Sequence, residues 1–145
     1  GGNVSHDPMN HQKMVEYRAD KIKGISKDIP LLEIDGPDEG DLLVVSWGST
    51  YGAAKTAIDK LRKDGETISY INLKYLYPFQ KNLGEIIKKF KRILVPEMNN
   101  GQLSQLIRNE FLVEVEELHK IQGKVFTAHE IEDKIKSMLS AKEEK

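Results

Sequence analysis

From Leu42 to Trp47 the chain reads Leu-Leu-Val-Val-Ser-Trp, a nearly unbroken apolar stretch of strand length. A strand of this kind is buried on both faces, as in the middle of a parallel sheet. Gly48-Ser49-Thr50-Tyr51-Gly52 then turns the chain into a helix with inward positions Ala53, Ala54, Ala57, Ile58 and Leu61, ending near Asp64-Gly65. Thr67 to Leu73 supplies a second strand, so the first unit is β-α-β. The alternation continues. Leu83, Ile86, Ile87 and Phe90 mark a short helix, Arg92 to Pro96 a third strand, and Leu103, Leu106, Ile107 and Phe111 another helix face. Val115 to Ile121 reads as a fourth strand and Gly123 to Phe126 as a turn or short edge strand, while Ile131, Ile135, Met138 and Leu139 form the stripe of a last helix. These lengths predict an α/β fold: a three-layer, doubly wound, mainly parallel sheet of about five strands, with helices on both faces.

Upstream the pattern differs. Asp7-Pro8 has the form of a helix start, aspartate as cap and proline at the first helical position. Met14, Val15, Ala19, Ile22 and Ile25 then share one stripe among charges as far as about Asp28, which predicts an amphipathic helix. Asp35 to Gly40 is dense in breakers and acids and reads as a surface turn or linker. The expected organisation is an arm, helix and linker over residues 1–40, followed by a compact domain over residues 41–145, with the last residues fraying.

Composition narrows the chemistry. Lysine and arginine total 22 against 23 acidic residues, a net charge of −1, so no long-range field gathers nucleic acid. There is no cysteine, which excludes disulfides, thiolate nucleophiles and cysteine-held iron–sulfur clusters from this chain. The apolar runs fall far short of the roughly 20 residues that cross a bilayer, and no signal-peptide core opens the chain, so a cytoplasmic location is expected.

In a doubly wound sheet ligands gather outside the carboxyl ends of the strands, where the next helix offers backbone N–H groups to an anion. Two segments have that form. Gly48, Ser49 and Thr50 lie in the first, with small residues for close backbone approach and two hydroxyls, though the lysine of a phosphate loop and the dinucleotide glycine spacing are absent. The alternative is a tight turn capped by Ser49 or Thr50. The second segment, Pro96 to Gln102, holds Glu97, Asn99 and Gly101. There Glu97 either anchors a ligand or neighbouring subunit or hydrogen-bonds its own helix start. His6, Asp7 and His11 do not make a closed metal site, and His119 and His129 lie apart from any serine elbow. Tyr75, Tyr77, Pro78 and Phe79 form an aromatic cluster that packs internally or meets another subunit, a homodimer included.

Several of these strings together resemble one family. Gly2-Asn3-Val4-Ser5-His6-Asp7-Pro8, Asn10 to Val15 and Arg18-Ala19-Asp20-Lys21 look like the stretch leaving the pyrimidine-binding domain in alpha subunits of 2-oxoacid:ferredoxin oxidoreductases of the 2-oxoglutarate type. Val45 to Ala54, Leu76-Tyr77-Pro78-Phe79, Leu94 to Asn99 and Gly101-Gln102-Leu103-Ser104 resemble that subunit's final domain, in the same order. The departures are Gln80 where a second proline is frequent, Asn100 for a common leucine, and Lys124-Val125 for Arg-Pro before Phe126. Because Gly1-Gly2 stands inside a motif, the resemblance implies a piece cut from a longer polypeptide.

The resemblance implies a fold like the carboxy-terminal domain of transketolase. It also implies a parent enzyme that decarboxylates a 2-oxoacid on thiamine diphosphate, passes the acyl group to coenzyme A and sends electrons to ferredoxin. In that family the Gly-Asp-Gly diphosphate and magnesium signature lies in the beta subunit, and the substrate-facing threonine motif in the alpha subunit's first domain. Neither string occurs here. The resemblance thus assigns this chain no catalytic residue, no metal ligand and no cofactor of its own, the iron–sulfur cluster belonging elsewhere. It leaves Gly48, Ser49, Thr50, Glu97, Asn99 and Gly101 as candidates for anion or interface contact; the alternatives are a stand-alone module that binds a small anion or nucleotide at the Gly48 to Gly52 turn, or an interaction domain that dimerises through its aromatic cluster. The partners it implies are the pyrimidine-binding domain of the same subunit and the beta subunit.

Overall fold

The computed structural model describes residues 29–76, 78–98, 101–120 and 124–143. The expected helix over residues 7–28, the trio His6, Asp7 and His11, and Tyr77, Asn99 and Asn100 lie outside the described residues. The elements are β1 (Gly40–Trp47), a 3-10 turn (Gly48–Thr50), α1 (Tyr51–Lys63), β2 (Ser69–Leu73), α2 (Leu83–Ile87), β3 (Phe90–Met98), α3 (Gln102–Phe111), β4 (Glu116–Lys120) and α4 (Ala128–Glu143).

The strands form one parallel sheet in the order β2-β1-β3-β4. Side chains alternate across a strand, so β1 feeds two cores. Leu42 and Val44 join Ala54, Ala57, Ile58 and Leu61 of α1 with Ile131, Ile135 and Met138 of α4 on one face. Leu43 and Val45 join Leu83, Ile86 and Ile87 of α2 with Leu103 and Ile107 of α3 on the other. The three-layer, doubly wound expectation holds, with four strands among the described residues. Of Gly123 to Phe126, where a turn or short edge strand was expected, Gly123 lies outside the described residues and Lys124 to Phe126 are irregular. Phe90, expected on the α2 stripe, instead opens β3: α2 stops at Ile87, and Phe90 pairs with Gly40 in the sheet.

Residues 29–36 lie against the body as a strap. Asp35 bridges antiparallel to Tyr70, with N–H···O distances of 2.9 Å in both directions. Asn82 accepts from the Leu32 N–H at 2.9 Å and donates to the Leu32 carbonyl at 3.1 Å, and Gln80 Nε2 donates to the Pro30 carbonyl. Lys55 Nζ reaches Asp35 at 2.7 Å and Arg62 reaches it at 3.0 Å. Partly exposed ion pairs are worth about 0–1 kcal/mol each, against about 1.5–3 kcal/mol for each fully buried Leu or Ile. The two cores therefore supply stability, and the strap's polar contacts fix position.

Candidate functional site

The chain leaves β1 for α1 on one face and leaves the adjacent β3 for α3 on the other, which makes the carboxyl ends of β1 and β3 the switch point of the sheet. The β1–β3 register runs from Gly40↔Phe90 to Val44↔Leu94. Two residues further on, Pro96 has no N–H to give, so the ladder to β1 cannot continue and the strand ends part. Both candidate segments border this crevice.

At the first, Gly48 takes φ +66, a conformation that costs glycine little, and starts the 3-10 turn. The Tyr51 N–H closes the turn on the Gly48 carbonyl. Ser49 is exposed and Thr50 is buried, and neither makes a side-chain cap to the turn or to α1. The turn expected here is present, but its hydroxyl cap is not: the chain enters α1 through a tightened backbone turn. Trp47 and Tyr51 flank it at 41% and 46% exposure, and Tyr51 stacks on Tyr70 with ring centroids 6.1 Å apart.

At the second, Glu97 is 3% exposed and its carboxylate closes the start of α3. Oε1 accepts from the Leu103 N–H at 2.8 Å, and Oε2 accepts from the Ser104 N–H and hydroxyl, both at 2.9 Å. A carboxylate here satisfies donors that a helix start leaves orphaned and meets the positive end of its dipole. These are the hydrogen bonds of the helix-start reading of Glu97. Gly101, at φ +71, lets this turn fit: a Cβ there would come 2.6 Å from Glu117 Oε1 and 2.8 Å from His119 Cε1. Burial raises the Glu117 carboxyl pKa, but hydrogen bonding and charge from Arg108, at 2.9 Å, outweigh it and hold the group below its ordinary value. His119 Nε2 lies 3.1 Å from Glu117 Oε1.

A polar network missed in the sequence crosses the ends of β1 and β2. The Ser46 and Tyr70 hydroxyls are 2.5 Å apart, and Ser46 Oγ donates to Asn72 Oδ1 at 3.0 Å. Ser46 was its one visible signal, a lone hydroxyl in an apolar strand; Asn72 stands opposite it in the register. Burial pushes the Tyr70 phenol up to about 12 against the opposing Ser46 bond, so it stays protonated at neutral pH. The network offers no base to activate Ser46.

The aromatic cluster divides. Phe79 packs on Phe111 with centroids 5.9 Å apart, whereas Tyr75 is 44% exposed. Tyr75, Leu31, Lys74, Asn72 and Gln80 line a cleft of about 360 Å³ between the strap and the end of β2. Gln80 Oε1 is buried without a hydrogen-bond partner among the described residues, a cost of about 1–3 kcal/mol.

Tested as a seat for a diphosphate and magnesium, the described residues do not fit. The Leu103 and Ser104 N–H groups are committed to Glu97, whose charge opposes an incoming anion, and no group of three potential metal ligands is gathered. No described helix is long and apolar enough to cross a membrane.

A four-stranded parallel sheet with helices on both faces and a switch point between β1 and β3 defines a doubly wound α/β domain. Residues 40–131 match the family model described as pyruvate:ferredoxin oxidoreductase core domain II. The 2-oxoglutarate oxidoreductase subunit KorA of Mycobacterium tuberculosis is 39% identical over 97% of this chain and 21% of its own length. The 2-oxoglutarate synthase subunit KorA of Methanothermobacter marburgensis is 30% identical over 91% of this chain and 36% of its own length. Among solved structures, a chain of the 2-oxoglutarate:ferredoxin oxidoreductase of Magnetococcus marinus, with 2-oxoglutarate, coenzyme A and succinyl-CoA bound, matches with a TM-score of 0.76. That match is 28% identical and covers 92% of this chain and 24% of that one. The chain belongs to the pyruvate:ferredoxin oxidoreductase core domain II family, and it spans between about a fifth and about a third of the length of these curated relatives.

Proposed function

We propose that this chain serves as a scaffold domain in the alpha subunit of a 2-oxoacid:ferredoxin oxidoreductase, with 2-oxoglutarate as the favoured oxoacid. The parent reaction is oxidative decarboxylation of the 2-oxoacid to its acyl-coenzyme A, with electrons delivered to ferredoxin in the cytoplasm. Thiamine diphosphate, when bound, supplies the carbanion-stabilising chemistry; we assign it, its magnesium and the iron–sulfur cluster to other domains or subunits. Residues 41–145 are the domain, and residues 1–40 the connecting arm whose last part is the strap. The observation that carries the reading is the closure of the switch point: Glu97 takes the α3 donors that would otherwise meet a cofactor phosphate.

The chain's own residues orient and pack. Gly48, Ser49 and Thr50 turn the exposed Trp47–Tyr51 edge outward, while Glu97 and Gly101 fix the neighbouring helix start. Asn99 is proposed as a contact residue of the same crevice. The test replaces the matched 142 residues of the mycobacterial subunit with this chain. Coenzyme A-dependent oxidation of 2-oxoglutarate by the chimeric holoenzyme is expected, and none by the chain alone with all cofactors added. Turnover by the lone chain would overturn the proposal.

A further inference from the structure

We propose that the carboxyl end of the sheet is the face that docks the pyrimidine-binding part of the alpha subunit, an inference that rests on the function proposed above. Six large apolar side chains are exposed among the described residues, and five of them, Leu31, Trp47, Tyr51, Tyr75 and Val125, follow strand ends or flank them at this edge. The sixth, Leu112, lies at the opposite end, after α3 has run back. That opposite end is otherwise charged, with Glu39, Asp41, Lys88, Lys89 and Lys91 around one surface hollow.

Exposed aromatics gathered on one rim mark an interaction surface, since Tyr and Trp contribute large contact area at low entropic cost. At Gly48 and at Gly52 a Cβ would meet nothing within 4 Å. The described chain also enters here. Pro30 meets the body beside Gln80, so the first described residues lie at this rim. The cleft beside Tyr75 is lined by Leu31, Lys74 and Gln80 and opens on the same rim. The occupant is thus a protein surface that is apolar opposite these side chains, and the 21% coverage of the mycobacterial subunit leaves polypeptide to provide it.

Hydroxyl-radical footprinting of the isolated chain and of the chimeric holoenzyme tests the face. Oxidation of Trp47, Tyr51 and Tyr75 should fall about fivefold in the chimera, the ratio between exposures of 41–46% and those of core residues, with Leu112 unchanged. Tyr51→Asp with Tyr75→Asp should leave the isolated chain folded by circular dichroism yet prevent chimera assembly, whereas Leu112→Asp should not. An active chimera whose three aromatics oxidise as in the isolated chain overturns the face and leaves the function standing. A chimera that assembles but never turns over overturns the function and this inference with it. Protection that appears in the isolated chain on raising its concentration would assign the rim to a second copy instead.

Discussion

Glu97→Gln is the substitution that bears most directly on the switch point. The amide keeps the shape of the carboxylate but retains a single acceptor oxygen, so it can serve one of the two oxygens' partner sets and turns an N–H donor toward the other. Glu97 is 3% exposed, and water does not readily replace what is lost. Removing one charge-assisted bond costs about 1.5–3 kcal/mol, and losing the charge at a helix start about 0.3–1 kcal/mol more. The sum is about 2–4 kcal/mol, which for a chain near 150 residues lowers Tm by roughly 5–15 °C. The assay is urea unfolding followed by circular dichroism, with an unchanged slope and a lower midpoint. Ser104→Ala removes the hydroxyl donor alone and should cost about 0.5–1.5 kcal/mol. The double variant should not cost the simple sum of the two single losses, because Glu97 and Ser104 belong to one hydrogen-bond network. A Glu97→Gln unfolding free energy within about 0.5 kcal/mol of the parent would show that the carboxylate does not hold α3, and the reasoning would fail.

Three further outcomes are expected. Glu132, clasped by Lys136 at 2.7 Å and Lys60 at 2.9 Å, and Glu130, bonded to Lys120 and Thr127, are both held down to about 2 from an ordinary 4.5. Their contribution is complete above about 4.5 and disappears as pH falls toward about 2, so the urea midpoint should decline across that window and stay level if these pairs are idle. Of the five tyrosines, one should ionise near pH 12, and Tyr70→Phe should delete that step from an ultraviolet titration; in the parent, stability should fall between about pH 10 and about pH 12. Asp35→Asn should cost about 0.5–1.5 kcal/mol, discounted for exposure, and raise hydrogen exchange at the Asp35 and Tyr70 amides; unchanged exchange would mean the strap is held without the Lys55 and Arg62 pairs.

What the sequence revealed follows from range. The Leu42–Trp47 strand and the Ala54, Ala57, Ile58, Leu61 stripe were legible because burial on both faces or on one helical face leaves a local period. Phe90 was misassigned because two exposed lysines separate it from Ile87, a spacing that also fits one more helical turn; pairing with Gly40, fifty residues earlier, decides it. Ser49 and Thr50 have the composition of a cap, but burial of Thr50 and the closure of the turn by backbone took that role away. Glu97 was legible as a residue, but its bonds to the Leu103 and Ser104 N–H groups depend on where α3 starts, which no local period reveals. The Ser46–Tyr70–Asn72 network, the strap's Asn82 contacts and the Arg92–Glu116 pair join residues 24 to 50 positions apart and leave no local trace.

The central claim is that Glu97 occupies the place where a cofactor phosphate would otherwise settle. Titrating thiamine diphosphate with magnesium into the isolated chain by calorimetry addresses it. No saturable heat is predicted up to about millimolar ligand, whereas one-site binding near a micromolar Kd, about 4 kcal/mol tighter, would contradict the account.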